Sequence, residues 1–104
     1  MARNEEAVEA EIQAKGLNAP RLNPAHINGQ ILTEQFYVFP GTVTTVCLLT
    51  LQNGYSVVGK SAPASPANFD AELGKKIARD DARSQIWALE GYRLRSHLAE
   101  QSWT

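Results

Sequence analysis

The chain has 104 residues, a size that fits one domain with a single hydrophobic core. Its 43% hydrophobic and 20% charged residues are typical of a globular protein, and its net charge of −1 excludes a general attraction to nucleic acid or to an anionic membrane. A single cysteine excludes an internal disulfide, the acidic start MARNEEAVEAE is unlike a signal peptide, and no apolar run is long enough to span a membrane.

The first third of the chain, residues 1–33, is predicted to form a helical arm. An asparagine cap, two glutamates in the first turn and a following glycine predict a first helix over residues 5–15. Asn23 followed by Pro24 predicts a second short helix over residues 24–32, because proline is well tolerated at the first helical position.

Residues 34–61 have the alternating pattern and turn signals of a three-stranded antiparallel meander. Pro40-Gly41 marks the first turn, and Asn53-Gly54 is the strongest type of short hairpin signal. The predicted strands cover residues 35–39, 43–52 and 55–61.

A two-residue loop at Asn53-Gly54 sets the pairing of the second hairpin. It pairs Thr50 with Val57 and Leu48 with Gly59 on one face, and Leu49 with Val58 and Cys47 with Lys60 on the other. Both faces then carry apolar side chains, and one helix cannot cover both. We therefore expect the second face to meet either the N-terminal arm or another copy of the chain.

Residues 66–100 are predicted to form one long helix, with Ser65 as its cap and apolar side chains at spacings of three and four. A second apolar stripe starts at Trp87, and with a glycine nearby it predicts a bend at residues 88–91. The tail, residues 101–104, is expected to fray, with docking of Trp103 on a neighbour as the alternative. The predicted fold class is α+β, a meander followed by a long helix.

The sequence predicts no catalytic residue, no metal site and no cofactor, and thus no enzyme. His26, Cys47 and His97 lie on three separate elements without the spacing of zinc ligands. Cys47 lies inside an apolar strand, where burial raises the pKa of a thiol and lowers its reactivity. Asp80 and Asp81 are adjacent, so on a helix they point about 100° apart and do not form an acid/base pair.

Basic side chains recur along the long helix, and two interpretations of them stay open. They form either a surface for phosphates or a solvated face paired with nearby carboxylates. Arg79 and Arg83 are like charges four residues apart, which hints at an anionic or carboxylate partner. The candidate ligand-binding residues are Lys60, Lys76, Arg79, Arg83, Trp87 and Tyr92.

The apolar residues outside the expected core predict self-association into a homo-oligomer. Trp87 is expected to lie in a core or an interface more readily than against a ligand. The candidate interface residues are Cys47, Leu49, Leu51, Val58, Trp87 and Leu94.

Four motifs in the last two-thirds of the chain together carry a family resemblance. They are the turn FPGT at 39–42, G-x-S at 59–61, PANFD at 66–70, and IARDDAR followed by IW, LEGY and L over 77–94. The chain resembles the small phage proteins of the phage N-four gene forty-nine / phage Sf-six gene sixty-six family. Members of that family often have a proline after the tryptophan, whereas this chain has Ala88, which argues against a sharp helix break there.

The resemblance implies a tailed-phage or prophage origin and a small non-virion accessory protein in the cytoplasm of the infected bacterium. It transfers no catalytic residue. The first hypothesis is a counter-defence protein whose oligomer sequesters a nucleotide-type immune signal. In it, Lys60, Arg79 and Arg83 donate hydrogen bonds to the phosphates of the signal. The second is a protein–protein inhibitor or adaptor of a host or phage enzyme. The third, nucleic-acid binding, is disfavoured by the net charge.

Overall fold

The computed structural model describes residues 4–17 and 19–102. Its strands form one antiparallel sheet in the order β1-β2-β3, so the predicted α+β fold is confirmed. The elements in chain order are α1 (Glu5–Ala14), α2 (Pro24–Gly29), β1 (Ile31–Val38), β2 (Thr45–Leu51), β3 (Ser56–Ser61), a 3-10 turn (Pro66–Asn68) and α3 (Ala71–Ser102).

Both N-terminal helices begin at the predicted asparagine caps. The side chain of Asn4 accepts a hydrogen bond from the Ala7 N–H at 3.2 Å, and that of Asn23 accepts one from the His26 N–H at 2.8 Å. The second helix is shorter than predicted, because Ile31 pairs with Leu51 and starts β1. Pairing within the sheet outweighs the weak helical preference of a short segment.

The long helix starts five residues later than predicted, at Ala71 instead of position 66. Ser65 makes no capping hydrogen bond with its side chain, whereas the carboxylate of Asp70 accepts one from the Leu73 N–H at 3.0 Å. The helix is continuous through residues 88–91, so the bend there stays a prediction. Trp103 lies outside the described residues, as does its predicted docking.

The hairpin register differs from the prediction by one residue. Leu51 donates its N–H to the Tyr55 carbonyl at 2.8 Å, and Gly54 donates to the Leu51 carbonyl at 2.9 Å. The loop therefore contains three residues, 52–54, with Gly54 at a φ of 88°. This is a common alternative to the two-residue hairpin, and it pairs Leu49 with Val57.

A shift of one residue exchanges the two faces of β3. Val57 and Gly59 lie on the covered face of the sheet, and Val58 and Lys60 lie on the other. The predicted pairing of Val58 with Leu49 and of Lys60 with Cys47 was therefore wrong.

The core lies between α3 and one face of the sheet. The helix packs on β2 and β3, with Ala78, Ala82 and Ile86 fully buried. Gly59 makes this close approach possible, since a Cβ atom there would lie 2.2 Å from the Ala78 carbonyl oxygen. The remaining buried apolar residues are Ile27, Cys47, Leu49, Leu51 and Val57.

The N-terminal arm packs along α3, away from the second face of the sheet. Glu5 at the start of α1 bonds to Arg83, and His26 in α2 lies 2.8 Å from the Glu90 carboxylate. Ile27 enters the core from the same side. The described part of the arm, residues 4–17 and 19–30, therefore does not cover the second face, and that alternative was wrong for this part of the chain.

Candidate functional site

The face of the sheet opposite α3 has an apolar centre and no covering element among the residues described. We call it the open sheet face. Tyr37 and Val58 are about half exposed on its outer strands, at 52% and 53%, and Val46 and Leu48 lie between them on β2. Strand alternation puts nine residues on this face: Thr33, Gln35, Tyr37, Val46, Leu48, Thr50, Ser56, Val58 and Lys60.

The polar residues of the open sheet face lie around its apolar centre. Thr33, Thr50 and Ser56 form one end, and Lys60 lies at the β3 edge near the other. An apolar centre with a polar rim is the usual composition of a protein-binding surface. The face carries a single formal charge, that of Lys60, so it is poorly suited to a multiply charged ligand.

The six predicted interface residues do not form one surface. Cys47, Leu49 and Leu51 are buried under α3 of the same chain, and only Val58 lies on the open sheet face. The hydrophobic surroundings of Cys47 raise the pKa of its thiol, and the nearby Glu34 carboxylate raises it further. A buried thiol with a raised pKa is a poor nucleophile.

The two arginines predicted to bind phosphate are already paired within the chain. Arg79 donates through Nε to the Glu34 carboxylate on β1 at 2.6 Å. Arg83 is buried and donates from both terminal nitrogens to Glu5, with the Nη2 to Oε2 distance at 3.0 Å, while its Nε donates to Asn28. The carboxylate partners suggested by the spacing of these arginines are thus Glu34 and Glu5.

The lysines of the predicted ligand set do come together. Lys60 on β3 and Lys76 on α3 line one groove of about 800 Å³, which also contains Asp80 and Ser84. The groove lies beside the β3 edge of the sheet, on a different side from Arg83.

Trp87 and Tyr92 lie on separate sides of α3. Trp87 is half-buried against α1 and donates its indole N–H to Glu5 at 3.3 Å. Tyr92 is 78% exposed and lines a second groove, of about 750 Å³, which Leu94 also lines. The predicted ligand residues therefore occupy three different surfaces.

Sequence reasoning missed the polar cluster of this second groove. The buried Glu90 carboxylate contacts His26 at 2.8 Å and Arg93 at 3.3 Å. His26 and Glu90 are sixty-four positions apart, so only the fold brings them together. His97 lines the same groove, whereas Cys47 lies in the core.

The described residues contain neither a metal-binding cluster nor a membrane-spanning helix. No group of three or more histidine, cysteine, aspartate or glutamate side chains there is arranged to hold a metal ion. Within the same residues, no helix combines the length and the apolar character that crossing a membrane requires.

Comparison with known proteins supports the resemblance described above. No curated protein and no solved structure matches the chain significantly. The profile of a family described as phage protein (N4 Gp49/phage Sf6 gene 66) matches residues 22–98, well over half of the 104 residues. This match confirms the predicted phage origin and covers all three strands and most of α3. The chain belongs to the N4 Gp49/phage Sf6 gene 66 family of phage proteins.

Proposed function

We propose that this phage protein is a non-enzymatic accessory protein of the infected bacterial cytoplasm. In this proposal it acts in counter-defence by binding another protein through its open sheet face. The observation that carries the proposal is the uncovered apolar centre formed by Tyr37, Val46, Leu48 and Val58. Contiguous apolar surface of this kind is characteristic of interaction sites.

Charge pairing favours a protein partner over a nucleotide. Strong phosphate recognition commonly uses free guanidinium or ammonium groups. Arg79 and Arg83 are occupied by carboxylates of the same chain, and releasing Arg83 would leave a buried cation without its partner. An apolar partner surface needs no such release.

A non-enzymatic role is supported by the burial of Cys47, the candidate nucleophile, and by the structural hydrogen bond of Asp81, one of the candidate carboxylates. Cys47 is enclosed in the core, and burial raises its pKa. Asp81 accepts a hydrogen bond from the Lys60 backbone N–H at 2.9 Å and thereby fastens α3 to the edge of β3. These groups have structural roles that account for their positions.

A matched pair of charged variants tests the proposal. Val58→Asp places a carboxylate in the apolar centre, and Leu73→Asp places one on α3 at a residue with the same 53% exposure. Tagged wild-type protein is used to recover its partner from infected cells, and binding of the purified partner is then measured by calorimetry. We expect Val58→Asp to weaken binding at least tenfold, about 1.4 kcal/mol, and Leu73→Asp to leave it unchanged.

The same variants connect binding with counter-defence. Phage carrying the Val58→Asp variant should plate less efficiently on a host with its defence system than on a host without it. Equal partner binding by wild type and Val58→Asp would overturn the assignment of the open sheet face. Equal plating on both hosts would overturn the counter-defence role.

Sequestration of a nucleotide-type signal is a second candidate, supported by one observation. Lys60 and Lys76 line the same groove of about 800 Å³, which offers two ammonium groups to phosphates. Calorimetric titration with cyclic dinucleotides and ADP-ribose derivatives tests it. Binding heat that disappears in Lys60→Ala and Lys76→Ala, and persists in Val58→Asp, would favour this function over protein binding.

A further inference from the structure

The two edges of the sheet differ in how their backbone groups are used. β1 and β3 are both edge strands, because within residues 4–17 and 19–102 each pairs only with β2. An edge strand presents backbone donors and acceptors to any extended chain that approaches it, and natural proteins usually block such edges.

The β3 edge is blocked by α3. The Lys60 backbone N–H donates to the Asp81 carboxylate at 2.9 Å, and the Gln85 side chain donates to the Val58 carbonyl at 2.6 Å. These two contacts hold the helix against the outer side of β3 and occupy groups that another strand would need.

The β1 edge has no equivalent protection. In the part of the chain that the structure describes, neither a strand nor a side chain hydrogen-bonds to the outer backbone groups of residues 33–38. The strand contains no proline and no lysine, the residues that most often block an edge. Its one charged residue, Glu34, bonds to Arg79 on the side of α3.

We propose that β1 is an interface for a second copy of this chain, which adds its own β1 antiparallel across a twofold axis. The axis is perpendicular to the sheet, so equivalent faces stay on the same side and the product is a continuous six-stranded sheet, three strands from each copy. Main-chain hydrogen bonds along the shared edge supply the association.

Charge restricts the register of this pairing, and we place its centre on Gln35. A centre on Glu34 would place two carboxylates directly opposite each other, which is unfavourable. A centre on Gln35 instead places Gln35 opposite Gln35, Glu34 opposite Phe36, and Thr33 opposite Tyr37. This pairing uses residues 33–37 and avoids the register shift between Ile31 and Thr33.

The dimer has a consequence that the single chain lacks. The α3 helices pack mainly on β2 and β3, and α3 reaches β1 through the Arg79–Glu34 pair on the covered face of the sheet. The two open sheet faces then lie side by side on one surface and form a bivalent site. Formation of the dimer does not depend on what the open sheet face binds.

Opposite charges at the centre of the interface test both the edge and the register. We expect wild-type protein to sediment as a dimer. In Gln35→Lys alone and in Gln35→Glu alone, repulsion between like charges should raise the dissociation constant of the dimer about tenfold. Mixing the two variants should restore association. Ser56→Lys, which adds the same charge on the same face at the β3 edge, is the control and should remain dimeric.

Three outcomes would overturn the proposal: a wild-type monomer at every concentration, Gln35 variants that associate as wild type does, or dissociation caused by Ser56→Lys. Far-UV circular dichroism of each variant confirms that it is folded. The dimer test measures mass alone and does not depend on partner binding. A Val58→Asp variant that loses its partner but stays dimeric therefore separates the β1 interface from the proposed function of the open sheet face.

Discussion

Gly59 is the residue at which α3 and β3 come closest. A Cβ atom there would lie 2.2 Å from both the Ala78 carbonyl oxygen and the Ala82 nitrogen, and these are backbone atoms that cannot rotate away. Ala78 and Ala82 are themselves fully buried, so a small residue on the strand faces two small residues on the helix. The separation of the two layers is therefore determined at this position.

We expect Gly59→Ala to lower the free energy of unfolding by about 1–3 kcal/mol or more, because overpacking must displace the helix. Urea denaturation monitored by circular dichroism measures the change. Gly29→Ala is the control, since a Cβ at Gly29 meets nothing within 4 Å. Similar stability of the two alanine variants would contradict the close packing at Gly59.

At the level of elements, local chemistry predicted most of the fold. The caps Asn4 and Asn23 act within one turn of chain, and both were identified correctly. The hairpin register was missed because Asn53-Gly54 is compatible with loops of either two or three residues. The two loop lengths put Gly59 on opposite faces of the sheet, and only the three-residue loop places it against α3. That packing exists only in the folded protein.

The candidate site was harder to predict than the fold. The spacing of Arg79 and Arg83 hinted at an anionic or carboxylate partner, but it could not show that Glu34 and Glu5 of the same chain pair with them. The one-residue error in register also assigned Val58 to the face of Cys47 and Leu49. Contacts between distant segments decide which side chains remain available to bind a partner. Local sequence patterns carry no information about those contacts.

The attachment of α1 to the following linker should depend on pH. Hydrogen bonds from Arg21 first and Gln13 second lower the pKa of the Glu9 carboxyl from 4.5 to about 2. Because the folded-state pKa is lowered, the stabilisation is present above pH 4.5 and is lost as the pH falls toward 2. Carbon-13 titration of the Glu9 carboxyl should show a midpoint near 2.

Arg21→Gln is the matched control for this titration. Removing the guanidinium removes the main cause of the shift, so the pKa of Glu9 should rise toward 4.5. A wild-type midpoint already near 4.5 would show that Glu9 and Arg21 do not pair in solution.

At the scale of the whole molecule, α3 is much longer than the sheet that it covers. Its 32 residues extend about 48 Å, whereas the 7 residues of β2 extend about 23 Å. The buried residues Ala78, Ala82 and Ile86 lie in the half over the sheet. The last turns therefore extend beyond the core and contribute to the 56 Å length of the molecule.

This geometry predicts a gradient of stability along one continuous helix. Amide hydrogens at residues 79–86 should exchange only through global unfolding, because those turns are packed on the sheet. Amides at residues 95–101 should exchange at least tenfold faster by local fraying, since none of these residues is buried. Hydrogen exchange followed by NMR measures both sets in one sample, so the core amides serve as the internal reference. Uniform protection to the end of α3 would contradict the prediction and would mean that the last turns are covered as completely as the core.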